Sequence, residues 1–148
     1  MGPRAKTTAA SRARVRPPVV LVVDDFVDNR EMYGEYLEHI GFRILEAADG
    51  QTAIDIARQE RPAAIVMDLS LPVLDGWEAT RILRADPRTR DIPIVVLTGH
   101  AVRSQKQRAR DCGATLVLTK PCPPKDLLDV LDAVIHGKPV PPLKSCND

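Results

Sequence analysis

Three short apolar runs in this 148-residue chain stop at residues able to handle a phosphoryl group or a hard cation. Val19-Val20-Leu21-Val22-Val23 runs into Asp24-Asp25, Ala63-Ala64-Ile65-Val66-Met67 into Asp68, and Ile94-Val95-Val96-Leu97 into Thr98; a fourth run, 115–118, is followed closely by Lys120. If the fold gathers these ends, three carboxylates stand close together and repel. Protonation relieves such repulsion, and so does a hard, oxygen-preferring cation such as Mg²⁺ or Mn²⁺, which keeps several waters and bridges to phosphate oxygens. Lys120 offers a compact positive charge to a phosphoryl oxygen, and the Thr98 hydroxyl a further hydrogen bond. The sequence contains no His–Ser or His–Cys nucleophile pair, P-loop or glycine-rich dinucleotide fingerprint. The chemistry implied is phosphoryl transfer onto a carboxylate.

Residues so far apart in sequence need a fold that brings strand ends together. The continuous β-branched run 19–23 is what a strand buried on both faces of a parallel sheet requires. A helix follows, with Asp28 and Glu31 spaced as a capping box, Met32, Tyr36, Leu37 and Ile40 on one face, and Gly41 at its stop. The same alternation predicts strands at 42–46, 63–68, 94–98 and 115–118, and helices at 50–59, 75–85, 102–112 and 124–136. Five strands alternating with five helices define an α/β fold. Short right-handed crossovers make the doubly wound, flavodoxin-like parallel sheet of order 2-1-3-4-5 the natural arrangement. Function in such sheets gathers at the carboxyl ends of the strands, where Asp24, Asp25, Asp68, Thr98 and Lys120 fall.

Composition narrows the class further. A hydrophobic share of 44% suits a soluble core, filled by aliphatic side chains because aromatics are only 3%. No apolar stretch is long enough for a membrane span. Arg4, Lys6, Arg12, Arg14 and Arg16 occur with no acid in residues 1–16, leaving 16 basic against 20 acidic residues in the remainder, so the body lacks a nucleic-acid footprint. Cys112, Cys122 and Cys146 have neither disulfide nor zinc spacing, and a reducing, cytoplasmic compartment is expected. The expected organisation is a disordered basic tail over 1–17, one domain over 18–136, and a Pro-containing tail over 137–148.

Five marks in order, Asp24-Asp25, Asp68, the loop Leu71-Pro72-Val73-Leu74-Asp75-Gly76, Thr98 and Lys120-Pro121, make residues 18–136 resemble the receiver domain of two-component response regulators, of the single-domain chemotaxis type. That resemblance implies Asp68 as phosphoacceptor, with Asp24, Asp25, Asp68 and the Ser70 main-chain carbonyl around Mg²⁺ or Mn²⁺. It implies Lys120 pairing with the acceptor and its phosphoryl group, Thr98 moving toward that group, and a cis Lys120-Pro121 bond. The phosphodonor would be a histidine kinase or a histidine phosphotransfer protein. The output would be a downstream protein target or self-association through the face of the fourth helix, fifth strand and fifth helix, without direct nucleic-acid contact. The chain would catalyse only its own phosphorylation and dephosphorylation. Two positions depart from the family pattern: Val117 stands where a Tyr or Phe is usual, and Gly99 where an Ala or Ser is usual.

Other readings attach to the same residues. A degenerate receiver would serve as a phosphorylation-independent interaction module, and a receiver can also be a fragment of a hybrid histidine kinase. An aspartyl phosphatase would carry a second acid two residues past the nucleophile, where this chain has Ser70. Arg103, Lys106, Arg108 and Arg110 on the fourth helix form either a solvated face or a partner surface. His100 lies two residues past Thr98, either over the acceptor or in a solvated loop. Trp77 is expected to pack against neighbours, and His39 and His136 to sit favourably near helix ends.

Overall fold

β-branched strand runs and amphipathic helices pair off as the sequence pattern requires in the computed structural model, which describes residues 17–99, 107–108 and 111–140. The strands are β1 (Val19–Val23), β2 (Arg43–Ala47), β3 (Ala64–Asp68), β4 (Ile94–Thr98) and β5 (Leu116–Thr119). The helices are α1 (Val27–Ile40), α2 (Gly50–Glu60), α3 (Gly76–Ala85) and α4 (Pro124–His136). The sheet has the order β2-β1-β3-β4-β5, every pairing parallel. Among the described residues there are four helices rather than five. The expected helix 102–112 falls largely outside them, although Gln107, Arg108 and Asp111 are helical. Of the two expected tails, 1–17 and 137–148, residues 1–16 and 141–148 lie outside the described residues as well, and 138–140 are neither helix nor strand.

The period of two along each strand splits the core into two halves. Leu21, Val23, Ile65, Met67, Ile94 and Val96 meet Ala53, Ile54 and Ala57 of α2 and Ala79 and Leu83 of α3. Val20, Val22, Val66, Val95 and Leu97 meet Tyr33 and Leu37 of α1 and Leu127, Val130 and Leu131 of α4. β3 and β4 are buried along their whole length. Each fully buried Leu or Ile side chain contributes roughly 1.5–3 kcal/mol relative to leaving it in water, so the strands that carry the candidate site are held on both faces.

Helix α1 corrects two expectations. No side chain caps it: it starts at Val27 after the extended Phe26, and Asp28 lies within its first turn, where its charge still suits the helix dipole. Its buried stripe is Tyr33, Gly34 and Leu37, whereas Met32 and Ile40 are exposed. Leu37 is buried as expected, and Tyr33 joins it in place of Met32 and Ile40, its hydroxyl donating at 2.7 Å to the carbonyl of Cys122 in the same half of the core. At α3 the expected first residue, Asp75, is instead the cap, accepting from the Glu78 N–H at 2.9 Å.

Candidate functional site

Each candidate side chain sits where a buried strand comes to the surface. Asp24 follows β1 directly, and Asp68 is the last residue of β3, opposite Leu97 in the parallel register. Thr98 closes β4, and its carbonyl accepts from the Lys120 N–H just past β5 at 2.8 Å. Asp24, Asp68 and Thr98 are buried, at 3%, 6% and 2% exposure, while Asp25 is open to solvent. Asp24, Asp25 and Asp68 each present a carboxylate oxygen within 4.8 Å of the others. The fold thus gathers the five strand-end residues on one edge, as the sequence implied.

Local hydrogen bonds fix these carboxylates. Asp24 accepts from the Phe26 N–H through Oδ1 at 2.9 Å, leaving Oδ2 facing Lys120 Nζ at 3.7 Å. Asp68 Oδ1 accepts from the Ser70 N–H at 3.1 Å, and Asp68 Oδ2 from Lys120 Nζ at 3.1 Å. Burial pushes the Asp68 carboxyl above its ordinary value; Lys120 and the Ser70 N–H pull it back, and Asp24 adds to the rise. With all three acids ionised, one ammonium leaves the pocket two negative charges in excess. An all-oxygen donor set with that excess fits a hard divalent cation. The Lys120-Pro121 peptide bond is cis.

The loop after Asp68 brings its backbone close to the acceptor. The Gly76 N–H donates to the Leu69 carbonyl at 3.0 Å, and a β-carbon at Gly76 would collide with the main-chain oxygen of Asp68. Val73 lies at the exposed tip of this loop with φ 67°, a conformation that costs a β-branched residue energy and is sustained by the surrounding bonds. Val117 is buried in the half of the core beneath α2 and α3, and Gly99 has open space at its β-carbon position. Trp77 packs partly buried on the core, with the Arg108 guanidinium 4.5 Å from its ring centroid. His100, Arg103, Lys106 and Arg110 lie outside the described residues.

One contributor escaped the sequence reading. Arg30 donates from its guanidinium to the Asp24 carbonyl at 2.7 Å and pairs through Nε with Glu46 at 2.9 Å, bracing the turn that carries the acidic pair. No motif marks it, because its partners stand just past β1 and on β2 and only the fold brings them to α1.

Comparison with known proteins gives the same picture. The family model for the response regulator receiver domain matches residues 20–132. The chain is 35% identical over 118 residues to protein PilH of Pseudomonas aeruginosa, covering 80% of this chain and 98% of that protein. The chemotaxis protein CheY4 of Vibrio cholerae superposes with a TM-score of 0.76 at 34% identity, over 80% of this chain and 98% of that one. The receiver domain of the sensor histidine kinase PA1611 of Pseudomonas aeruginosa, a structure with a magnesium ion coordinated in its active site cleft, gives 0.76 and 34% over 81% and 98%.

Proposed function

The chain belongs to the family of response regulator receiver domains, and from that premise we propose that it accepts a phosphoryl group onto Asp68 from a phosphohistidine. The donor is a histidine kinase or a histidine phosphotransfer protein. An Asp68 carboxylate oxygen forms the new bond to phosphorus as the donor's N–P bond breaks, and the released imidazole takes up a proton. Burial and the Ser70 N–H fix the attacking group, so little reorganisation is needed when the donor arrives. Lys120 meets the negative charge carried in, and the Thr98 hydroxyl supplies a further hydrogen bond as the product forms. Asp24, Asp25, Asp68 and the Ser70 main-chain carbonyl would hold Mg²⁺ or Mn²⁺, which neutralises charge on the phosphoryl oxygens.

The observation that carries this reading is the acidic trio with Lys120 Nζ 3.1 Å from Asp68. The chain acts only on its own acyl phosphate, forming and losing it, and turns over no separate substrate. Its output is a changed surface for a protein partner or a second copy around the β4–β5 connection, β5 and α4. Intact-mass measurement after incubation with acetyl phosphate and Mg²⁺ tests the acceptor. One added phosphoryl group, lost in Asp68→Asn, is expected; its persistence in the variant overturns the assignment. In the same preparation, Asp25→Ala should weaken Mg²⁺ binding by at least roughly tenfold while the fold survives. An interaction module independent of phosphorylation would show no mass gain in the wild type.

A further inference from the structure

The stretch from Lys120 to the start of α4 is short of backbone donors. Pro121, Pro123 and Pro124 stand in it, and proline carries no N–H. The Lys120 N–H donates to the Thr98 carbonyl at 2.8 Å, which fixes where the stretch leaves the sheet. Beyond that point a carbonyl that turns inward needs a donor from another element, because a buried carbonyl without a partner is costly. The Cys122 carbonyl meets this need through the Tyr33 hydroxyl of α1, which donates to it at 2.7 Å in a buried bond. Tyr33 and Cys122 are both buried in the half of the core beneath α1 and α4, beside Leu127 and Leu131.

Next to this bond the surface opens between α1 and the stretch. Asn29, Met32, Tyr33, Lys120, Pro121 and Pro123 line a groove of about 510 Å³ there. Side-chain packing therefore does not close the stretch onto the helix along its whole length, and the Tyr33 hydroxyl bridges the two. What it holds is the chain beside the cation of the site. Lys120 lies two residues before Cys122, and its ammonium stands 3.1 Å from Asp68 and 3.7 Å from Asp24. A flexible four-carbon stem gives that ammonium little direction of its own, so the main chain on either side decides where it rests. One turn earlier on α1, Arg30 holds the Asp24 carbonyl at 2.7 Å. Residues three apart share a helix face. A single turn of α1 thus grips both the strand end that carries the acids and the stretch that carries Lys120.

We propose that Tyr33 is a positioning residue for phosphoryl transfer: by holding the Cys122 carbonyl it places the Lys120 ammonium against Asp68. Its kinetic consequence rests on the reading of Asp68 as acceptor, and its geometric consequence does not. Without the hydroxyl, the Cys122 carbonyl is left unpaired beside the groove. The stretch then shifts to bring that carbonyl to water, and Lys120 is drawn away from Asp68.

Two variants of the full chain make the test. Tyr33→Phe removes the hydroxyl and keeps the ring in the core; Leu37→Val loosens the same helix without touching the stretch. A crystal structure of unphosphorylated Tyr33→Phe should show the Lys120 ammonium beyond ion-pair distance of Asp68. With acetyl phosphate and saturating Mg²⁺, Tyr33→Phe should gain its phosphoryl group on the order of tenfold more slowly, and Leu37→Val at close to the wild-type rate. Mg²⁺ affinity in Tyr33→Phe should be no weaker than in the wild type, since a positive charge has left the pocket and the acids have not moved. In a Lys120→Ala background the hydroxyl should make no further difference to the rate, an equality that a merely structural role would not produce. A water standing in for the hydroxyl with Lys120 unmoved overturns the proposal, and so does a Tyr33→Phe effect of equal size with and without Lys120. A wild type that gains no phosphoryl group overturns the acceptor reading instead, and the crystal geometry then decides the role of Tyr33.

Discussion

At the scale of single residues, Asp68 is held in a state that costs the domain stability when its carboxyl is ionised. Its carboxyl is raised by burial, so the folded chain keeps that proton to a higher pH than the unfolded chain does. The stabilising share of that linkage is therefore full below the ordinary carboxylate value and is lost as pH rises through the raised folded value. Asp68→Asn removes the ionisation and retains an acceptor for the Ser70 N–H. The variant should melt above the wild type near neutral pH by a few degrees, about 2–4 °C per kcal/mol at this size. The gap should close as the pH falls to about 4. Thermal unfolding at both pH values decides the point; a variant that melts no higher at neutral pH would mean that burial of the charge is already offset by Lys120.

At the scale of elements, the β3–α3 loop sets where the acceptor points. Asp75 caps α3, the Gly76 N–H returns to Leu69, and the missing side chain of Gly76 lets the helix start against the Asp68 carbonyl. Gly76→Ala should cost on the order of 2 kcal/mol or more and slow phosphorylation, because the backbone must retreat from the new β-carbon. Gly99→Ala is the matched comparison, since nothing lies within 4 Å of its β-carbon position, and its stability should stay close to the wild type. Urea midpoints for the two variants make the comparison; equal losses would remove the close approach as the reason for glycine at position 76. Arg84 braces a second joint, donating to the carbonyls of Gly113 at 2.6 Å and Ile92 at 2.6 Å and to Thr115 Oγ1 at 3.0 Å. It ties the end of α3 to the approach to β5.

At the scale of the whole molecule, a phosphoryl group adds nearly two negative charges at the edge where β3, β4 and β5 end. A change there reaches partners only if an element with two arrangements follows it. The stretch between Thr98 and Leu116 leaves β4 beside the acceptor, and its Arg108 rests over Trp77, the single tryptophan of the chain. Mg²⁺ with beryllofluoride should therefore change Trp77 fluorescence in the wild type and do so much less in Arg108→Ala. An equal response in both would place the change elsewhere than in that stretch.

What the sequence determined by itself was most of what local pattern carries, the capping and the buried stripe of α1 excepted. Residue types at the ends of apolar runs marked Asp24, Asp25, Asp68, Thr98 and Lys120. The alternation of periods predicted the sheet order, and the boundaries of β1, β4 and α4 coincide with their expected ranges. The family marks implied the cis bond before Pro121. The tertiary structure decided what two or more distant segments settle together. Of the expected stripe Met32, Tyr36, Leu37 and Ile40, Leu37 is buried, and the packing of α1 on the sheet buries Tyr33 with it, its hydroxyl on the Cys122 carbonyl, while Met32 and Ile40 stay exposed. Arg30 and Arg84 carry no signature because a guanidinium finds its acceptors in space, on strands and loops that sequence distance does not reveal. The raised state of the Asp68 carboxyl is likewise a property of its surroundings, set by how deeply the sheet buries it and how near Lys120 comes to it.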